Sequence, residues 1–212
     1  MRYTVCRDCC IAGVFLDADS PEVPCPVCGS KKGVGLLFYD LDILIMVDLV
    51  QESYQSISNF DDTNQKGVSR ADRAHIASVL VFFCTLKEML LDRFLGHLMH
   101  AHKLPEGVRK RLLADNITHT QKLRRLLPSL TGVKWPEILA TFPKKDNENF
   151  TQLDLILEET ASARNDLVHE GLYLVAKPSI ATKCITHEMP LLDLFVQLHN
   201  SYVYPYYRVV AA

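Results

Sequence analysis

Five of the seven cysteines in this 212-residue chain lie within its first 28 residues. They include two C-x-x-C pairs, Cys6 with Cys9 and Cys25 with Cys28, which are separated by fifteen residues. Each pair forms a tight turn that directs two thiolates at one point, and four thiolates complete a tetrahedral shell around Zn²⁺. The spacing therefore predicts a small β zinc ribbon over residues 1–35, with Cys6, Cys9, Cys25 and Cys28 as metal ligands.

The ligand set stays open at one position, because Cys10 directly follows Cys9. We favour Cys9, since it makes both pairs C-x-x-C. Four thiolates leave no place for a water molecule, so the predicted zinc is structural. A segment of this length cannot bury enough surface to fold without such a clip. The alternative is a redox pair or unconnected thiols.

The remainder of the chain, residues 36–212, shows the periodicity of helices. We predict helices over 39–58, over 69–102 with Ser69 as N-cap, over 105–127 with Pro128 as its stop, over 150–170 with Gly171 as a left-handed cap, and over 187–204. Residues 128–149 are predicted to be a connector with one short helical turn. The expected fold is mainly α, a bundle of four to five helices with the small zinc ribbon in front of it.

Composition and charge indicate the class of protein and limit how it could bind RNA. Hydrophobic residues make up 48% of the chain and charged residues 23%, as in a soluble globular protein. A net charge of −2 gives no overall attraction to a polyanion, so RNA binding would need a local basic face. Lys122, Arg124 and Arg125 on the predicted third helix are candidates for that face, although such faces are more often only solvated.

No secretory signal is visible at the N-terminus. The longest apolar run, 76–86, is shorter than the ~20 residues that cross a bilayer. The sequence therefore predicts a cytoplasmic protein without a membrane partner.

The residues with the clearest chemistry stand near the end of the predicted 150–170 helix. Arg164 offers a permanent planar cation suited to phosphate oxygens. His169, in the last turn, can donate or accept a proton near neutral pH. Asn165 can hold a hydroxyl or orient the ring. An arginine and a histidine without clustered acids for magnesium suit cleavage of RNA by its own 2′-hydroxyl.

The string Arg-Asn-Asp-Leu-Val-His at 164–169, on the penultimate helix of a predicted bundle, resembles the signature of HEPN domains. The resemblance implies a metal-independent endoribonuclease that needs no cofactor for catalysis and works as a homodimer with a composite site. Similar proteins are toxins and antiviral defence effectors, so a cognate inhibitor or defence-system partner is also implied. Some family toxins carry a modifiable tyrosine two residues after the histidine. This chain has Gly171 there, which puts that form of regulation in doubt.

The sequence is also compatible with other functions. The bundle could be a non-catalytic RNA- or protein-binding module with a structural zinc ribbon. A zinc-ribbon transcription factor is disfavoured by the net charge and by the lack of a base-reading helix. His97, His100 and His102 are expected to be cations at a helix end rather than metal ligands. Glu88 is expected to be a buried partner of Arg164 or of another cation.

Overall fold

The structure is a computed structural model that describes residues 2–6, 12–15, 34–36, 41–58, 68–142, 150–171 and 173–203. Within these ranges the chain is mainly helical, which confirms the expected fold class at that level. The helical elements are α1 (Leu41–Gln55), α2 (Arg70–Ala101), α3 (Glu106–Asp115), α4 (His119–Gln121), a π-helical segment (Lys122–Leu126), α5 (Leu127–Thr131), α6 (Trp135–Thr141), α7 (Phe150–His169), a 3-10 turn (Tyr173–Val175) and α8 (Pro178–Tyr202).

Three short strands form an antiparallel sheet near the N-terminus. They are β1 (Arg2–Cys6), β2 (Ala12–Phe15) and β3 (Val34–Leu36), in the order β2-β1-β3. Arg2 pairs with Phe15, and Thr4 pairs with Leu36. Cys6 is the last residue of β1. Cys9, Cys10, Cys25 and Cys28 lie outside the described residues, so the zinc ribbon and its ligand set stay predictions.

Helix α2 supplies much of the buried core. Its large side chains with almost no exposure are Phe83, Phe94, Ile76, Leu80, Leu86, Leu90, Leu91, Leu95, Leu98 and Met99. Ser69 caps it as predicted, because the Ser69 hydroxyl accepts a hydrogen bond of 3.0 Å from the Asp72 amide.

By length and composition α2 could also cross a bilayer. Half of its most apolar 18-residue stretch is buried within the protein. Core helices of soluble proteins can have the same length and hydropathy, so the absence of a membrane partner stays a prediction.

The chain divides into two compact units. Unit 1 comprises Met1–Tyr39, Leu91–Thr141 and Asp193–Ala212, and unit 2 comprises Asp40–Leu90 and Phe142–Leu192. Helices α2 and α8 each contribute residues to both units. Arg164, Asn165 and His169 belong to unit 2.

The prediction of one helix over 105–127 that Pro128 ends is wrong. Helix α3 ends at Asp115, and Thr118 starts a new helix with a capping box in which its hydroxyl and the Gln121 side chain each accept a backbone N–H. The helical path then continues through Pro128 to Thr131. The π-helical turn Lys122–Leu126 lies just before Pro128 and widens the helix. Such turns accommodate a residue such as proline, which cannot donate the regular i→i−4 hydrogen bond.

The last helix starts earlier than predicted, at Pro178 rather than near 187. Proline suits a first helical position, because its missing N–H would have no partner there. Pro190 lies inside the same helix, which continues to Tyr202.

Candidate functional site

Helix α7 carries the candidate residues and packs through one stripe. Leu153, Leu157 and Thr160 on that stripe are buried, and Arg164 follows them one turn later. The two leucines face the core, whereas Val168 in the last turn is 55% exposed. The buried positions of the helix end at Ala163, so its last turn lies at the surface.

Two side chains of α2 donate hydrogen bonds to backbone carbonyls of α7 within unit 2. The Cys84 thiol donates to the Thr160 carbonyl at 3.6 Å, and the Lys87 ammonium donates to the Leu157 carbonyl at 3.4 Å. The later residue of α2 meets the earlier residue of α7, so the helices run antiparallel. Burial lowers the pKa of Lys87 below its usual value.

Arg164 is held by two contacts. One guanidinium nitrogen, Nη2, lies 3.1 Å from Glu88 Oε1, and Nη1 donates to Asn165 Oδ1 at 3.1 Å. The expected pairing with Glu88 is therefore confirmed. Glu88 itself is not buried, because 46% of its side chain is exposed, against 25% for Arg164. The guanidinium is thus fixed at the boundary between core and solvent.

His169 is exposed and is the last residue of α7. Two residues later Gly171 adopts φ of +68°, which confirms the predicted left-handed cap. From helical spacing, His169 lies about 40° around the helix from Asn165 and about 140° from Arg164. Asn165, which is also exposed, stands between the two and already contacts Arg164. One helix therefore presents a fixed cation and an accessible imidazole on different sides of one tip.

The predicted basic face lies in unit 1, on the π-helical segment. The Lys122 ammonium forms an ion pair with Asp92 and its side chain is only 13% exposed. Arg124 and Arg125 are exposed. Lys122 is thus already engaged with a carboxylate, and substrate binding by all three residues stays a prediction.

The sequence did not predict the contact between His97 and His199. Nδ1 of His97 lies 3.1 Å from Nε2 of His199, and Nδ1 of His199 lies 2.8 Å from the Phe195 carbonyl. Because a carbonyl only accepts, His199 carries its proton on Nδ1, and His97 donates to the free Nε2. His199 is fully buried. A buried imidazole needs a hydrogen-bonding partner. The sequence signal for this pair was His199 itself, a histidine among apolar residues such as Phe195 and Leu198 in a predicted helix.

The same pair overturns the expectation that His97 is a cation at the helix end. Burial lowers the pKa of His97, and Coulombic interactions with Arg93 and His100 lower it further. Burial likewise lowers the pKa of His199 to about 3. Both rings are neutral at pH 7. Within the part of the chain that the structure describes, no group of three or more His, Cys, Asp or Glu side chains could hold a metal ion.

An open groove of about 720 Å³ lies along another face of α7. The α7 residues that line it are Glu159, Ser162, Ala163 and Asp166. The chain that returns after Gly171 closes the groove with Leu174, Val175, Lys177, Ser179 and Ile180. From helical spacing, His169 shares a stripe with Ser162 and Asp166. The groove therefore leads along the helix towards the exposed imidazole.

Comparison with protein-family models, with curated proteins and with solved structures gives no match to this chain. The HEPN resemblance of residues 164–169 therefore stays a prediction from the sequence.

Proposed function

We propose that the protein is a metal-independent endoribonuclease of the HEPN type. The observation that carries the proposal is the end of α7, where His169 is exposed and Arg164 is fixed beside Asn165 and Glu88. A proton-transfer group must reach its substrate, and an exposed imidazole meets that condition. A guanidinium held by a carboxylate is already oriented for phosphate oxygens.

The chemistry needs a proton acceptor, a fixed cation and a proton donor. The His169 imidazole removes the proton of a ribose 2′-hydroxyl, and the oxygen attacks the adjacent phosphorus. Arg164 stabilises the charge on the phosphate oxygens as they crowd around phosphorus. The 5′-oxygen leaves with a proton from His169 of a second copy, so the products are a 2′,3′-cyclic phosphate and a 5′-hydroxyl. Asn165 positions the guanidinium through its side-chain carbonyl.

A homodimer belongs to this proposal, because the leaving group takes its proton from a second copy. Sedimentation of the full chain should then give twice the monomer mass of 24.0 kDa. The cellular setting, a cytoplasmic toxin or antiviral effector with a cognate inhibitor or defence-system partner, belongs to the same proposal and comes from the HEPN resemblance.

Cleavage of single-stranded RNA by purified protein tests the proposed activity. We expect His169→Ala to lower the cleavage rate by about 100-fold or more, since general acid–base groups contribute that much. Arg164→Ala should have at least that effect, and Arg164→Lys should rescue little, because an ammonium lacks the planar fork. Cleavage by the wild type should continue in EDTA and leave 2′,3′-cyclic phosphate ends.

Two variants serve as matched controls. His100→Ala removes another exposed histidine in the last turn of a helix. Arg111→Ala removes an exposed arginine that pairs with Asp115 on its own helix. Both should cut RNA at the wild-type rate. Equal activity in all variants would overturn the assignment of Arg164 and His169.

One observation favours a second function, that of a non-catalytic binding module. The Glu88 carboxylate occupies Nη2 of Arg164 and competes with a phosphate for it. This alternative predicts that the wild type binds RNA or a protein without turnover, and that Glu88→Gln tightens RNA binding. In a nuclease, Glu88→Gln would instead lower the cleavage rate, because Arg164 would lose its anchor.

A further inference from the structure

The groove beside α7 combines an apolar wall with polar groups at its rim. Ala163 and Ile180 are buried in that wall, and Leu174 is 52% exposed beside it. Ser162, Ser179, Asp166 and Lys177 supply hydroxyls and charges. A volume of about 720 Å³ is within the range of pockets that hold a small organic ligand. Such a lining suits a flat, largely apolar ring that carries hydrogen-bonding groups on its edge.

The two carboxylates of the groove differ in their engagement. Lys183 donates to both oxygens of Glu159, at 2.6 and 2.8 Å. That ion pair neutralises Glu159 where it lines the groove. Asp166 lies two helical turns further along the same face, closer to His169. Asp166 is therefore the carboxylate that we expect to meet a ligand.

A carboxylate selects among the nucleobases by hydrogen-bond pattern. It offers only acceptors, and its two oxygens bind best to two adjacent N–H donors. On the Watson–Crick edge, guanine presents two neighbouring donors, N1–H and the 2-amino group. Adenine and cytosine present one donor beside an acceptor, and uracil presents one donor between two acceptors. Single-stranded RNA is commonly read in this way, by stacking and by contacts to base edges.

We propose that the groove is a guanine-binding subsite, in which Asp166 accepts from the Watson–Crick edge and the wall of Leu174 and Ile180 packs against the ring. Lys177, which is exposed directly before α8, then lies on the phosphate side of the same nucleotide. The assignment as a subsite for a cleaved RNA rests on the proposed function. It would place a guanosine next to His169 and so determine which bonds are cut.

Direct binding of 5′-mononucleotides to the full chain, measured by titration calorimetry, tests the groove without any cleavage. We expect GMP to bind about tenfold or more tightly than AMP, CMP or UMP, since a bidentate base contact gives about that discrimination. Asp166→Asn should remove this preference. The control Glu158→Gln changes an exposed acid on α7 that does not line the groove, and should keep the preference.

Cleavage mapping separates this inference from the proposed function. If the wild type cuts RNA, its cuts should lie next to guanosines, and Asp166→Asn should cut with that preference lost. If no cleavage occurs, the proposed function fails and the GMP titration still decides on the groove. Equal binding of the four nucleotides, no binding of GMP at millimolar concentration, or an unchanged GMP preference in Asp166→Asn would each overturn the guanine subsite.

Discussion

At the scale of single residues, the histidines show how strongly surroundings decide chemistry. His169 and His199 are the same side chain near the ends of two helices. His169 is exposed, whereas His199 is enclosed, with the Phe94 ring centroid 5.2 Å from its own and two hydrogen-bonding partners. Burial excludes the charged form of His199, because an imidazolium inside the core would lose its hydration. Exposure leaves the His169 imidazole accessible from solvent.

The His97–His199 pair predicts a loss of stability in mild acid. The pKa of His199 is about 3 in the folded protein and about 6.5 in the unfolded chain. Its contribution is therefore fully present above pH 6.5 and declines as the pH falls towards 3, because the unfolded chain then binds the extra proton. The expected slope is about 1 kcal/mol per pH unit. His97 adds to the slope in the same direction, since its pKa is also lowered.

Urea unfolding of the wild type and of His199→Gln between pH 7.5 and 4.5 measures this slope. Glutamine keeps a donor and an acceptor but does not titrate, so the variant should lose much of the acid sensitivity. Carboxylates such as Asp72, whose pKa is lowered by hydrogen bonds from Ser58 and Ser69, titrate alike in both proteins and cancel in the comparison. His100→Gln is the exposed control. Identical slopes in the wild type and His199→Gln would refute the neutral buried pair.

At the scale of secondary-structure elements, the contact between α2 and α7 determines where Arg164 lies. Cys84, Lys87 and Glu88 share one face of α2, and each contacts α7. The sequence predicted both helices and offered Glu88 as a partner of Arg164 or of another cation, since an acid within an apolar helix needs a cation. It did not predict that Lys87 would be buried. A sequence pattern counts every lysine as a surface residue. Only the packing of α7 on α2 shows that the Lys87 ammonium contacts the Leu157 carbonyl.

Replacing Lys87 by methionine tests what this buried charge costs. Lys87 is 3% exposed, and its lowered pKa shows that the charged form is disfavoured in the fold. Methionine has a similar length and no charge, so we expect the free energy of unfolding at pH 7 to stay equal or rise by about 1 kcal/mol. The wild type should gain stability as the pH rises towards the pKa of a free lysine, because the unfolded chain then binds more protons than the folded protein, and the variant should not.

Urea unfolding at pH 7 and pH 9.5 gives both quantities for Lys87→Met. Lys110→Met serves as the control, because Lys110 is exposed and pairs with Glu106 one turn earlier on its own helix. A loss of more than 1 kcal/mol at pH 7 would show that the hydrogen bond to Leu157 outweighs the desolvation of the ammonium, contrary to our expectation.

At the scale of the whole molecule, the zinc content of the protein tests whether the N-terminal segment forms the predicted ribbon. If Cys6, Cys9, Cys25 and Cys28 bind zinc, the purified chain should contain one zinc ion, measured by plasma mass spectrometry. Cys25→Ser should lose it. Cys9→Ser and Cys10→Ser should differ, because only one of these neighbours belongs to the tetrahedral shell.

Removal of the zinc separates a structural role of the metal from a catalytic one. Because the zinc is proposed to be structural, its removal by a strong chelator should unfold the ribbon without acting on the Arg164 and His169 chemistry itself. RNA cleavage should then persist in the presence of EDTA at least until the fold is lost. A zinc content near zero in freshly purified protein would refute the ribbon.

The sequence by itself determined the local features, namely the helical periodicity and the caps at Ser69 and Gly171. These follow from forces that act within a few residues. Only the tertiary structure decided which polar groups are buried, because burial depends on segments distant in the chain. Lys87 against Leu157, His97 against His199, and the groove closed by the turn after Gly171 all arise from such long-range packing.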